Sequence, residues 1–190
     1  MRGKIDRFVT WMRRHRNLIA LSAGGVILIR LWPLLAVETG WNLRGAIVHQ
    51  HPESSFLPPP VAPVEIRSGR AHPGFHAPRL AAELIFLPTA VRHSHAFKRD
   101  DPALPPASAL ALAILLSDPS TYSQWLGESG CGGFHGDWYL RWADGHEAII
   151  CEGCHEILLY HENRFIRCNF SWEAYKQKKI EAIVRPAFQE

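Results

Sequence analysis

Residues 134–170 read FHGDWYLRWADGHEAIICEGCHEILLYHENRFIRCNF, and this stretch decides the fold class. From Phe134 the apolar pattern has period two, the signature of a half-buried strand. Trp138, Leu140 and Trp142 share one face, and Asp137, Tyr139 and Arg141 the other. Asp144-Gly145 is a hairpin signal, because a two-residue type I′ turn needs positive φ at both centres. Glu147 to Cys151 is the second strand, Ile157 to Tyr160 the core of a third, and Arg164 to Phe170 a fourth. Ser171 caps a closing helix over 172–184, which Pro186 follows. The expectation is an α+β domain: a four-stranded antiparallel meander with flanking helices.

Register follows from the turns. A two-residue turn at Asp144-Gly145 sets Leu140 opposite Ile149 and Trp138 opposite Cys151, which puts Cys151 on the tryptophan face. A three-residue loop from Glu152 to Cys154 opposes Ile149 with Ile157, and a turn at Glu162-Asn163 opposes Ile157 with Cys168. Cys151 and Cys168 then share a face two strands apart, at least ~9 Å, too far for a disulfide. Cys131, Cys151, Cys154, His135 and His155 gather at one end of the sheet, with Cys131 the disulfide partner of Cys151 or Cys154.

Outward from this core, residues 107–116 (ASALALAILL) predict a buried helix stopped by Asp118-Pro119, with Tyr122 and Trp125 on the sheet edge. Eleven of the fourteen prolines lie between Pro52 and Pro106, and residues 38–79 read as a Pro-rich linker of extended geometry. Its histidines, and those of Arg92-His93-Ser94-His95, read as solvated side chains.

At the other end, residues 18–37 (LIALSAGGVILIRLWPLLAV) hold one charge, Arg30, and would rise about 30 Å as a helix, enough to cross a bilayer. Residues 1–17 are basic, with six Lys or Arg against Asp6, and the positive-inside rule keeps them cytoplasmic. The expectation is a single-pass, uncleaved signal anchor in the cytoplasmic membrane with residues 80–190 outside the cytoplasm. The lipid bilayer is then a partner through residues 18–37. The rest of the chain is mildly acidic, so the net charge of +3 is no footprint of nucleic-acid binding.

The cysteines admit four uses. Cys151-x-x-Cys154-His155 fits the c-type haem attachment pattern, with both thiols on the vinyls and His155 on the iron. The same turn would also suit a redox dithiol. Cys131, Cys151, Cys154 and His135 would make a tetrahedral zinc site. The fourth and preferred use is structural: one disulfide plus buried thiols, no cofactor, and a binding or interaction module with an unidentified protein partner. No phosphate loop, G-x-S-x-G or H-E-x-x-H points to an enzyme, and no catalytic residue is assigned. His135 and Asp137, two apart on one strand face, read as a solvated pair.

Three stretches, LLSDPSTY (115–122), CGGFHGD (131–137) and IICEGCHE (149–156), together resemble a set of uncharacterised small bacterial proteins, exported or membrane-anchored. Their pattern is C-G-F-x-P-D followed by a strand ending I-C-F-x-C. Gly136 stands here in place of Pro, and Glu152 in place of Phe. The resemblance covers residues 115–190 and implies an exported bacterial domain but no activity. A His after the second Cys is not part of that pattern.

Overall fold

The computed structural model describes residues 25, 47–48, 52–70, 73–125, 134–171, 179–184 and 186. Its centre is a seven-stranded sheet, not four strands. Strands β6 (Trp138–Arg141), β7 (Glu147–Cys151), β8 (Glu156–His161) and β9 (Arg164–Phe170) run antiparallel in sequence order. β2 (Glu65–Ser68) adds antiparallel to β6. β1 (Ile47–Val48) adds parallel to β9, and β5 (Tyr122–Ser123) antiparallel to β9. A separate hairpin pairs β3 (Thr89–Arg92) with β4 (His95–Lys98). The helices are α1 (Pro73–Phe86), α2 (Pro106–Ser117) and α3 (Lys179–Val184).

The four-stranded expectation failed because the Pro-rich stretch is not a linker. Phe56 is buried in the core under the Arg164 guanidinium. Trp142 donates its indole N–H to the Val61 carbonyl at 2.8 Å, and Val64 N–H reaches the Arg141 carbonyl at 2.8 Å. Proline removes its own donor but leaves its neighbours free to bond, so the segment straps the edge of β6 and then joins it as β2.

The membrane anchor is corrected too. Among the described residues no helix is long and apolar enough to cross a membrane. Of residues 18–37 only Gly25, in helical conformation, is among them; the remainder of that segment and the basic tail lie outside the described residues. The absence of a spanning helix among the described residues overturns the single-pass topology and the membrane assignment.

One face of the sheet holds Trp138, Leu140, Ala148, Ile150, Ile157, Leu159, Ile166, Cys168 and Phe170, packed against Ala109, Leu112 and Leu116 of α2. Leu112 and Leu116 are fully buried, worth about 1.5–3 kcal/mol each. α2 ends where the Asp118 carboxylate accepts the Ser120 N–H at 2.8 Å. Its last carbonyls are taken up by the Thr121 and Tyr122 hydroxyls, which donate to Leu115 and Leu116 at 2.6 and 2.5 Å. The other face holds Tyr139, Ile149, Cys151 and Leu158, covered by Phe97 and Phe134. Phe97 reaches in because Gly136 has no side chain: a Cβ there would stand 2.7 Å from the Phe97 ring.

The register differs by one residue from expectation at the first hairpin. Trp142 N–H bonds the His146 carbonyl, Gly145 N–H bonds the Trp142 carbonyl, and only Gly145 has positive φ (93°). This is a type I turn closed by a left-handed glycine, a three-residue loop. Tyr139 therefore opposes Ile149, and Trp138 opposes Ile150. The next loop has four residues, so Ile150, not Ile149, opposes Ile157. Glu162 and Asn163 do form a two-residue turn, both at positive φ, and Ile157 opposes Cys168. His93 and Ser94 also have positive φ (46° and 64°) and form the β3–β4 turn rather than a strand.

Candidate metal centre

A one-residue slip in a strand reverses its faces, and here it moves Cys151 away from Cys168 and onto the face of Tyr139. Extending the β6–β7 pairing by one residue sets Cys151 beside Asp137, whose N–H bonds the Ile150 carbonyl at 2.8 Å. Across the next strand pair Cys151 opposes Glu156. A row of acidic or thiol groups results, the half-buried Asp137 and the buried Cys151 and Glu156, with a cationic side chain at each flank.

His135 is the cation on one side. Its Nδ1 lies 3.6 Å from Cys151 Sγ and its Nε2 2.9 Å from Asp137 Oδ1. Burial works against its charge, but the hydrogen bonds to Asp137 and Cys151 outweigh it and push the imidazole up to about 9. The second Asp137 oxygen accepts the Glu152 N–H at 2.7 Å. Cys151 Sγ also accepts the Cys154 N–H at 3.4 Å. One ligand atom each from His135, Asp137 and Cys151 lies within 4.8 Å of the others.

On the other side Arg167 holds Glu156 through two nitrogens, Nε at 2.7 Å and Nη2. Both side chains are buried, and the Trp125 indole donates to the free Glu156 oxygen at 3.1 Å. Arg167 also lies over the Trp125 ring, 4.4 Å from its centroid. Glu156 is thus spoken for, and the Asp137–His135–Cys151 end is the part able to take a ligand.

The expected site residues fare differently. His135 and Cys151 are brought into contact. Cys154 packs in the same cluster, but its sulfur is in a disulfide whose partner lies outside the described residues; Cys131 is the one cysteine there. Cys151 and Cys168 are free thiols. Cys168, on the opposite face, is pushed up to about 12 by burial and serves as a core residue. His155 sits half-buried on the turn with φ 56°. Cys151 has no exposed surface, which leaves the haem-attachment order Cys151, Cys154, His155 one sealed thiol and one oxidised one.

In the sequence Asp137 and His95 read as solvated side chains, and Glu156 has no role. His95 on β4 is buried, its Nε2 has no hydrogen-bond partner, and its ring meets Phe134 edge-on at 5.4 Å. Burial first, then the nearby His135 and His93, hold it down to about 3. An orphaned buried nitrogen costs about 1–3 kcal/mol and asks for an explanation.

A zinc-type ion fits these residues. Zinc takes thiolate, imidazole and carboxylate, with Zn–S near ~2.3 Å and Zn–N near ~2.0–2.1 Å, so a tetrahedral pair of such donors stands about 3.5 Å apart. The 3.6 Å between Cys151 Sγ and His135 Nδ1 matches that spacing. A carboxylate oxygen of Asp137 lies within 4.8 Å of the other two donor atoms and makes the third donor. Comparison of the chain with protein-family models, with curated proteins and with solved structures finds no match.

Proposed function

We propose that the chain is a metal-binding module in which Cys151, His135 and Asp137 hold a transition-metal ion, zinc by the character of the donors. The observation that carries this is the convergence of the three donor atoms within 4.8 Å at one end of the sheet, with Cys151 buried and His135 and Asp137 half-buried. A bound ion would tie β7 to the segment entering β6 and add its binding energy to folding. The test is titration of the protein, disulfide intact, with cobalt(II). A 1:1 complex with thiolate-to-cobalt charge-transfer absorption is expected. Cys151→Ser and His135→Ala should lose the band, and Cys168→Ser should keep it. No such band in the unmodified chain overturns the reading.

One observation favours a second reading. Both His135 nitrogens are engaged, Nδ1 by the thiol and Nε2 by the carboxylate, which is the order of a thiol–imidazole–carboxylate nucleophile. The complete burial of Cys151 opposes it. Fast alkylation of Cys151 by iodoacetamide, slowed in His135→Ala, would favour the nucleophile; slow alkylation in both favours the metal site.

A further inference from the structure

Three donors leave a tetrahedral ion one ligand short. We infer that the fourth is His95, carried over the site by the β3–β4 hairpin. This rests on the metal reading above.

The placement follows from the strand. Burial alternates along β4, and His95 and Phe97 are its buried pair. Phe97 packs on Tyr139 at 5.4 Å and fills the space that Gly136 leaves open. His95, two residues earlier on the same face, meets the ring of Phe134, the neighbour of His135. Its imidazole therefore stands over the segment that supplies His135 and Asp137.

Its chemistry suits the role. The buried Nε2 has no hydrogen-bond partner, and a neutral imidazole nitrogen without one is a ready metal donor. His95 is not one of the three residues within 4.8 Å, so coordination requires its side chain to swing toward them. The hairpin backbone need not move. It is fixed by the Gly69–Phe97 bridge and by Arg70 N–H on the Ala96 carbonyl at 3.0 Å. A bound ion would then fasten three separate segments: β4, the chain at 135–137, and the end of β7.

X-ray absorption of the zinc-loaded full chain decides the point without any substitution. One sulfur and two imidazoles around zinc are expected. One sulfur and one imidazole would overturn the His95 assignment and leave the metal reading standing. Absence of sulfur from the zinc shell would overturn both. Cobalt titration of His95→Gln gives a second measurement. Its Kd should rise at least about tenfold, the lower end of what even outer-shell losses cost. His146→Gln, whose ring bonds Asp144 and the Ser55 carbonyl, should leave Kd unchanged. An unaltered Kd in His95→Gln would also overturn the assignment.

Discussion

Replacing Arg167 by Met should be the most damaging single change on the sheet face that carries the candidate site. Glu156 is wholly buried and Arg167 nearly so, and the carboxylate has two Arg167 nitrogens and the Trp125 indole as partners. Removing the guanidinium leaves a buried carboxylate with the Trp125 N–H alone. Breaking a buried pair in this way costs about 3–5 kcal/mol, because the desolvated charge loses its compensation. For a chain of this size about 2–4 °C of Tm accompanies each kcal/mol, so the melt should fall by roughly 6–20 °C. The control is Arg79→Met. Its partner Glu83 is 2.9 Å away, but Arg79 is mostly exposed, and such pairs are worth about 0–1 kcal/mol. The assay is thermal and urea unfolding followed by circular dichroism. Glu156→Met with Arg167→Met should recover most of the loss, because an apolar pair of similar volume needs no compensation. If Arg167→Met costs no more than Arg79→Met, the argument that this pair holds the site end of the sheet is wrong.

Three further outcomes are expected. In metal-free protein the neutral form of His95 is the stabilising one, with a pKa near 3 against an ordinary 6.5. Stability should be full above pH 6.5 and fall as pH drops toward 3, by a total on the order of 5 kcal/mol; the urea midpoint of His95→Gln should lose this part of the slope. Gly136→Ala should cost about 1–3 kcal/mol by overpacking, since its Cβ would meet the Phe97 ring at 2.7 Å and Ile149 at 3.0 Å; adding Phe97→Leu should restore part of it in the same melt. Glu162 sits at φ 50° in a type I′ turn, a conformation Asn tolerates better. Glu162→Asn should raise stability by about 0.5–1 kcal/mol, a Tm increase of roughly 1–4 °C.

Much of the local structure was legible in the chain. The alternation around Trp138, Leu140 and Trp142, the apolar run ending at Asp118-Pro119 and the turn at Glu162-Asn163 are short-range signals, and each marks an element where it occurs. The sheet's extent was not legible. β2 lies in a Pro-rich stretch where alternation lasts only from Val64 to Arg67, and it is a strand because β6 offers it an open edge. β1 and β5, two residues each, are held by β9 in the same way.

The candidate site divides along the same line. The sequence alone determined that a thiol, an imidazole and a carboxylate occur close to two successive strands, at Cys151, His135 and Asp137. Tertiary structure decided that they meet. The deciding quantity is one residue of hairpin register, set by whether Asp144-Gly145 forms a two-residue or a three-residue loop. Asp144 does not adopt the positive φ that the shorter loop demands, so the longer loop forms and Cys151 turns from the face of Cys168 to the face of His135 and Asp137. Side chains alternate with period two, and a local pattern that is right to within one residue still leaves the face undetermined.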